Sequence, residues 1–247
     1  MKFVRPRRGV RGYLYGVFRA SERRNKERIL ELAPPAPGGR LLDLGCHDGS
    51  FTVELARRVD AAEVCGIEFV EELAAGAAAR GVDVRSDDLD GPLPYATGRF
   101  DVVHSNQVIE HLRHTDNFLA EIRRVLKPTG YALLSTNNLA SWHNVFSLLL
   151  GMQPTPCHIS DEIVAGNRLD PRRGEQHPEK GFTHLRIFSF QGLAELAEYH
   201  GFRVETLVTS GYYPFPPAVA DLLARVDRRH GAFLIARLRP EGPNTPT

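Results

Sequence analysis

The sequence predicts an α/β protein built on an open, mostly parallel sheet, and three observations carry that expectation. Short apolar runs alternate with helical patterns from residue 40 to residue 135. The first run ends in a two-glycine loop that opens directly into a helix. Acidic and amide residues recur where strands should end, and ligands of such sheets sit at the carboxyl ends of the strands.

The elements follow in order. Pro34 to Gly39 reads as a linker into the stretch Leu41 to Phe51, LLDLGCHDGSF. Its apolar strand closes on Asp43, Gly45 and Gly49 shape the loop around Cys46, and Phe51 to Arg58 reads as the helix. Glycine lets the backbone approach a ligand closely, and a helix N-terminus offers unpaired N–H groups to an anion. The spacing Gly45-x-x-x-Gly49 matches neither the dinucleotide fingerprint nor the P-loop. An acidic residue two positions before the first glycine suits a cationic ligand better than a pyrophosphate.

Val64 to Ile67 reads as the second strand, with Glu68 and Phe69 at its end. Glu68 lies about twenty residues past the loop, where a carboxylate accepts ribose hydroxyls; a solvated helix N-cap is the other reading. Val82 to Arg85 is the third strand, followed by Asp87, Asp88 and Leu89. Phe100 to Ser105 is the fourth, leading into Asn106. A helix over Phe118 to Leu126 is expected to stop at Lys127-Pro128-Thr129-Gly130, and Tyr131 to Ser135 makes the fifth strand. Asp43, Gly45, Glu68, Asp88 and Asn106 thereby converge on one rim.

Residues 139 to 183 break this rhythm with Gly151, Pro154, Pro156, Pro171, Gly174, Pro178 and Gly181. The insertion reads as a lid over the rim that shapes an acceptor pocket, or else as a peripheral decoration or oligomer contact. Val145 to Leu150 is expected to pack as a helix within it. Tyr212 to Pro217 either lines a pocket or makes a rigid turn. A helix over Ala218 to Arg229 and a strand over Ala232 to Leu238 close the domain. The expected division is a basic N-terminal arm or cap over 1–37, a catalytic domain over 38–238, and a flexible tail over 239–247.

The arm carries Arg5, Arg7, Arg8, Arg11, Arg19, Arg23, Arg24, Lys26 and Arg28 against Glu22 and Glu27. It reads as a capping helix with solvated arginines, or as a basic surface for an anionic acceptor, RNA or lipid. The whole chain has 31 Lys and Arg against 30 Asp and Glu, so its net charge of +1 points to no nucleic-acid partner. No apolar stretch reaches membrane-spanning length. Cys46, Cys65 and Cys157 show no CxxC spacing and read as reduced thiols of a cytoplasmic protein. Oligomeric state is not encoded in any pattern of the sequence.

The loop Leu41 to Phe51, the segment SDDLDGPLPYATGRFDVV and the run IEHL…FLAEIRRVLKPTGYALLSTNN together resemble class I S-adenosylmethionine-dependent methyltransferases. The nearest likeness is to the family that includes ubiquinone and menaquinone biosynthesis enzymes. HLRIFSFQGLAELAEYHGF, His184 to Phe202, matches that family's segment before its sixth strand. The resemblance covers residues 38–137 and 184–208. It implies a Rossmann-like seven-stranded sheet, parallel except for an antiparallel last strand set between its neighbours. It also implies S-adenosylmethionine as methyl donor and S-adenosylhomocysteine as product. Asp43, Gly45, Cys46, Gly49, Glu68, Phe69, Asp87, Asp88, Leu89 and Asn106 become the cofactor-binding set, with Asp88 contacting the adenine amino group and Asp87 its close competitor.

Methyl transfer from a sulfonium is an in-line displacement, so the enzyme mainly positions the acceptor and excludes water. A general base helps a hydroxyl acceptor, and histidine suits that task. His184 and His177, which flank the return from the insertion, are the expected catalytic pair, ahead of His143 and His158. His111 resembles a structural residue, and His104 reads as packing or donor-pocket lining. The expected reaction is O-methylation of a small-molecule acceptor without a metal. Two alternatives stand beside it. Gln107, Glu110, His111 and His184 resemble the cluster of metal-assisted RNA 2′-O-methyltransferases, although Gln107 replaces a glutamate there. A non-catalytic methyltransferase-like scaffold is the other.

Overall fold

The computed structural model describes residues 9–177 and 183–242. The expectations placed on Arg5, Arg7, Arg8, Pro178, Gly181 and residues 243–247 lie outside the described residues.

The sheet strands are β1 (Gly39–Leu44), β2 (Ala61–Ile67), β3 (Asp83–Arg85), β4 (Phe100–Asn106), β5 (Leu126–Asn137), β6 (Phe202–Ser210) and β7 (Phe233–Pro240). They lie in the order β3-β2-β1-β4-β5-β7-β6. β1, β2, β3, β4 and β5 pair in parallel, whereas β7 runs antiparallel between β5 and β6. This is the Rossmann-like arrangement expected from the resemblance. The strand order turns outward on either side of β1 and β4, which is where ligands of open α/β sheets bind.

Side-chain alternation divides the core between the two faces. Leu41, Val102 and Leu133 point to one side and pack with Leu55 and Val59 of α2 (Ser50–Val59) and Ile29 of α1 (Gly9–Leu32). Leu42, Val103 and Leu134 point to the other, against Phe118 and Ile122 of α4 (Thr115–Val125) and Leu193 of α6 (Phe190–Tyr199). α3 (Glu71–Ala78) covers the β2–β3 end through Ala77. Each such fully buried aliphatic side chain contributes roughly 2 kcal/mol.

The basic N-terminal segment folds as α1, whose buried stripe Val17, Ser21, Asn25, Ile29 repeats every four residues. Its arginines lie outward in ion pairs such as Arg19–Glu22, Arg28–Glu31 and Arg24–Asp221. The polar members of the stripe are satisfied. Ser21 donates to the Val17 carbonyl, and Asn25 bonds Asn106, Ser135 and Ser210 at the sheet rim. α1 is therefore tied to the rim itself.

Several boundaries differ from the sequence reading. Leu126 to Gly130 does not stop the chain in a loop but begins β5, with Leu126 paired to Phe100 and a register shift before Tyr131. Gly130 is needed at that bulge, since a Cβ there would lie 2.8 Å from the Asp101 carbonyl oxygen. β7 continues through Arg239 and Pro240 rather than yielding to a tail at 239, because Arg239 ion-pairs with Glu205 on β6. α7 runs over Pro217–Val226, shorter than expected. In the insertion, α5 (Trp142–Leu149) forms, yet Phe146, Leu148 and Leu149 are exposed rather than packed.

Candidate active site

The loop between β1 and α2 is fixed by its two glycines. Gly45 has φ +79° and Gly49 φ +75°. A Cβ on Gly45 would meet Val108 Cγ2 at 2.5 Å, and one on Gly49 would meet Ala77 Cα at 2.7 Å. Only glycine fits either place. The Gly45 and Cys46 amides both donate to the Ile67 carbonyl, binding the loop to the end of β2. Cys46 is buried, and burial pushes its thiol up to about 12, so it serves as packing rather than as a nucleophile.

Glu68 stands at the end of β2, half-buried. Its carboxylate accepts the His47 amide at 2.8 Å and the Val70 amide at 2.9 Å. A carboxylate has about four lone-pair positions, so capacity for a ligand's hydroxyls remains. His47, at φ +51°, holds an unusual left-handed conformation in the same loop.

Asp43 lies deeper than the sequence suggests, at 2 % exposure. One oxygen accepts from the Thr52 hydroxyl, and the other pairs with His104 Nδ1 at 2.7 Å. It braces β1, β4 and α2 and is not open to the rim. Asp88 is exposed and Asp87 half-buried. Asp87 accepts the Asp88 amide and Asp88 accepts the Asp90 amide, so both carboxylates shape the turn that follows β3. Leu89 packs against the core, Phe69 is 79 % exposed, and Asn106 accepts from Asn25 of α1. Gly45, Cys46, Gly49 and Glu68 thus form one cradle. Asp87, Asp88 and Leu89 lie at the following strand end, and Asp43 and Asn106 are internal braces.

Beside the cradle is a cavity of about 210 Å³. Phe18 and Glu22 of α1 form one wall, and Gln107 and Asn137 at the ends of β4 and β5 form the floor. Gln107 has φ +59° and a buried amide nitrogen without a partner among the described residues. Strain and an open donor at a strand end mark a binding position. His143 from α5, His158, Asp170 and Arg172 from the rest of the insertion, His184 just past it, and Tyr213 after β6 complete the enclosure. Residues of the insertion thus line this cavity together with the ends of β4 and β5.

The histidines of this wall are neutral. Burial drives His143 and His158 down to about 4 and His184 to about 3. His184 Nδ1 faces the Pro156 carbonyl at 2.8 Å, and its ring stacks on His158 with centroids 4.3 Å apart. His177 does not line the cavity; it stands behind His158, with ring centroids 4.6 Å apart.

Glu110, His111 and His184 also converge, each offering a ligand atom within 4.8 Å of the others. Sequence reasoning named these residues yet expected no metal. It missed Phe18, Glu22, Asp170 and Arg172 as cavity residues. The four-residue stripe of α1 was the available signal for its placement on the sheet.

Comparison with known proteins agrees with this geometry. A family model described as "Methyltransferase domain" matches residues 17–207. A Mycolicibacterium smegmatis protein named as a probable S-adenosylmethionine-dependent methyltransferase is 31 % identical over 218 residues, 86 % of this chain and 68 % of that protein. A ubiquinone biosynthesis O-methyltransferase of Cereibacter sphaeroides is 35 % identical over 118 residues, 45 % of this chain; the match spans 47 %, less than half, of that relative's length. Among solved structures, an S-adenosylmethionine-dependent methyltransferase from Mesorhizobium loti superposes with a TM-score of 0.57 at 20 % identity, covering 86 % of this chain and 96 % of that one. Among the described residues, no helix is long and apolar enough to cross a membrane. With the glycine cradle, the acidic strand ends and the seven-stranded sheet in place, the chain belongs to the class I S-adenosylmethionine-dependent methyltransferases, enzymes that use S-adenosylmethionine as methyl donor.

Proposed function

We propose that the chain methylates a hydroxyl oxygen of a small-molecule acceptor held in the cavity between α1, α5 and the insertion. The observation that carries this reading is the cavity itself, about 210 Å³, in which Phe18, Val164, Tyr213 and Phe233 stand among polar and charged side chains such as Glu22, Gln107 and Arg172. A cavity of about 150 Å³ admits benzene, so this one suits a single-ring acceptor and not a nucleic-acid strand. The name of the ubiquinone O-methyltransferase relative favours oxygen as the methylated atom.

The Gly45–Gly49 loop and Glu68 hold the donor in this reading, with Glu68 on the ribose and Asp87 or Asp88 at the adenine. The clash that any Cβ would make at Gly45 and Gly49 supports that cradle. The donor supplies an electrophilic methyl carbon on a sulfonium. Phe18, Tyr213 and His143 clasp the acceptor's apolar body, and the lid excludes water. His184 orients the acceptor but does not deprotonate it, since a base whose conjugate acid titrates at about 3 binds a proton poorly near neutrality.

A labelled-methyl assay over a panel of hydroxylated single-ring compounds tests the proposal, with the product's methyl carbon read by NMR. A methoxy signal is the expected result. His143→Asn should lower kcat/KM about tenfold, or roughly 1.4 kcal/mol, with S-adenosylhomocysteine affinity unchanged. An N-methyl or C-methyl product, or turnover only on RNA, would overturn it.

A further inference from the structure

We propose that the Asp170 carboxylate is the general base of the acceptor cavity, taking the proton of the acceptor's hydroxyl as its oxygen is methylated. This role rests on the O-methylation reading, in which none of the cavity's histidines receives that proton. Asp170 lines the cavity and is only 6 % exposed. Its Oδ1 accepts the Arg172 amide at 2.7 Å. That is the carboxylate's one hydrogen bond among the described residues, so Oδ2 keeps its lone pairs for a ligand. Arg11 and Arg172, the cations whose charges reach it, turn to Glu175 instead, at 4.0 and 3.8 Å. A buried carboxylate outside any ion pair, facing a cavity, marks a functional position.

The turn that carries Asp170 is held from two sides. Arg11 of α1 donates from Nε to the Pro171 carbonyl at 2.7 Å and from Nη2 to the Arg173 carbonyl at 2.6 Å. Asn167 donates to the Ser147 hydroxyl of α5 and to the Gln153 carbonyl, both at 3.0 Å. Such support fixes a reacting group in place. The rest of the wall complements it. Gln107 Nε2 and the Tyr213 hydroxyl are buried without partners among the described residues. Burial first, and then the Asp170 charge, hold the Tyr213 phenol above its usual range, so it stays protonated and donates. An acceptor hydroxyl has one proton and two lone pairs. Asp170 takes the proton, one lone pair meets these donors, and the other is left for the methyl carbon.

The remaining titratable groups of the wall are poorer bases. Burial lowers His143 and His158 to about 4 and His184 to about 3. The Glu22 side chain is 36 % exposed and bound by Arg19 at 2.8 Å. Burial holds the Asp170 carboxyl above the ordinary carboxylate range, Glu175 adding to it and the Arg172 amide, Arg172 and Arg11 opposing. That shift strengthens Asp170 as a base. The proton passes from the acceptor oxygen to Oδ2 and on to solvent. The oxygen forms the new C–O bond, and the methyl–sulfur bond breaks with its electron pair left on sulfur.

The test uses the full chain with S-adenosylmethionine and two phenols of similar size in mildly alkaline buffer. 4-Methylphenol reaches the cavity protonated, whereas 4-nitrophenol is already ionised in solution. Asp170→Asn keeps an oxygen for the Arg172 amide, and Asp170→Ser replaces it should it unfold; circular dichroism and S-adenosylhomocysteine binding check folding. The variant should methylate 4-methylphenol about 100-fold more slowly or worse, yet 4-nitrophenol within about threefold of wild type. With 4-methylphenol, kcat/KM of the wild type should fall at acid pH, and the variant should lack that limb. Equal losses on both phenols, or no loss, would overturn the base. Should neither phenol turn over, visible absorption of 4-nitrophenol bound to the S-adenosylhomocysteine complex decides. Asp170 should keep more of the bound probe protonated in wild type than in Asp170→Asn. Matching spectra, or no binding at millimolar probe, would overturn the proposal. Methoxy product formed equally by both proteins removes the base and leaves the proposed function standing. An N-methyl or C-methyl product from the wild type overturns both.

Discussion

The proposed donor side and the proposed acceptor side of this molecule are built in opposite ways. The donor cradle is local: Gly45, Cys46 and Gly49 lie within five residues, and Glu68 reaches back to the His47 amide. The acceptor wall is assembled from the whole chain, with Phe18 of α1, His143 of the insertion, His184 just past it, and Tyr213 beyond β6. The donor side is set by backbone conformation and tight contact, which tolerate little change. The acceptor side is set by side chains on irregular segments, which can be exchanged to change the substrate. A shared donor with diverging acceptors requires that division.

The sharpest way to break the comparison is to add one carbon on each side. Gly45→Ala forces a Cβ to within 2.5 Å of Val108 Cγ2 at φ +79°. It should cost about 4 kcal/mol and lower Tm by roughly 10 °C, and abolish S-adenosylhomocysteine binding. Gly151→Ala, at φ +67° with nothing within 4 Å, should cost only about 1 kcal/mol. Equal thermal shifts would mean that the loop is no more constrained than the lid.

The next effect belongs to the buried Glu110, whose carboxyl burial pushes from 4.5 up to about 7. The native state retains a proton between these values that the unfolded chain has lost. Stability is therefore full below 4.5 and falls as pH rises to about 7, by on the order of 3 kcal/mol. Chemical denaturation of Glu110→Gln across this range should lack that slope. Parallel curves for the two proteins would show that Glu110 is not responsible.

The loop and strand ends of the proposed donor side were legible as structure because their signals are contiguous. A strand, two glycines at fixed spacing and a helix occupy Leu41 to Arg58, and Glu68 follows at the next strand end. The parallel pairing of β1 to β5 followed from the same alternation, and the antiparallel last strand from family likeness. Asp43 misled because a strand-terminal carboxylate looks the same in sequence whether it faces the rim or turns inward to Thr52 and His104. The acceptor wall was only partly legible. The insertion announced a lid, and its histidines were noticed. Which of them line the cavity depends on contacts such as Tyr13 with Pro214, about two hundred residues away. Likewise, no local pattern shows that Leu185 and Arg186 dock on Glu110.

The central claim is that the Gly45–Gly49 loop and Glu68 form the donor site, independent of the acceptor wall. Calorimetric titration of the wild-type chain, Glu68→Ala and His143→Asn with S-adenosylmethionine and S-adenosylhomocysteine addresses it most directly. Micromolar binding of both ligands is expected, weakened at least about tenfold, or roughly 1.4 kcal/mol, by Glu68→Ala and unaffected by His143→Asn. Equal affinity in wild type and Glu68→Ala, or a loss confined to His143→Asn, would contradict the account.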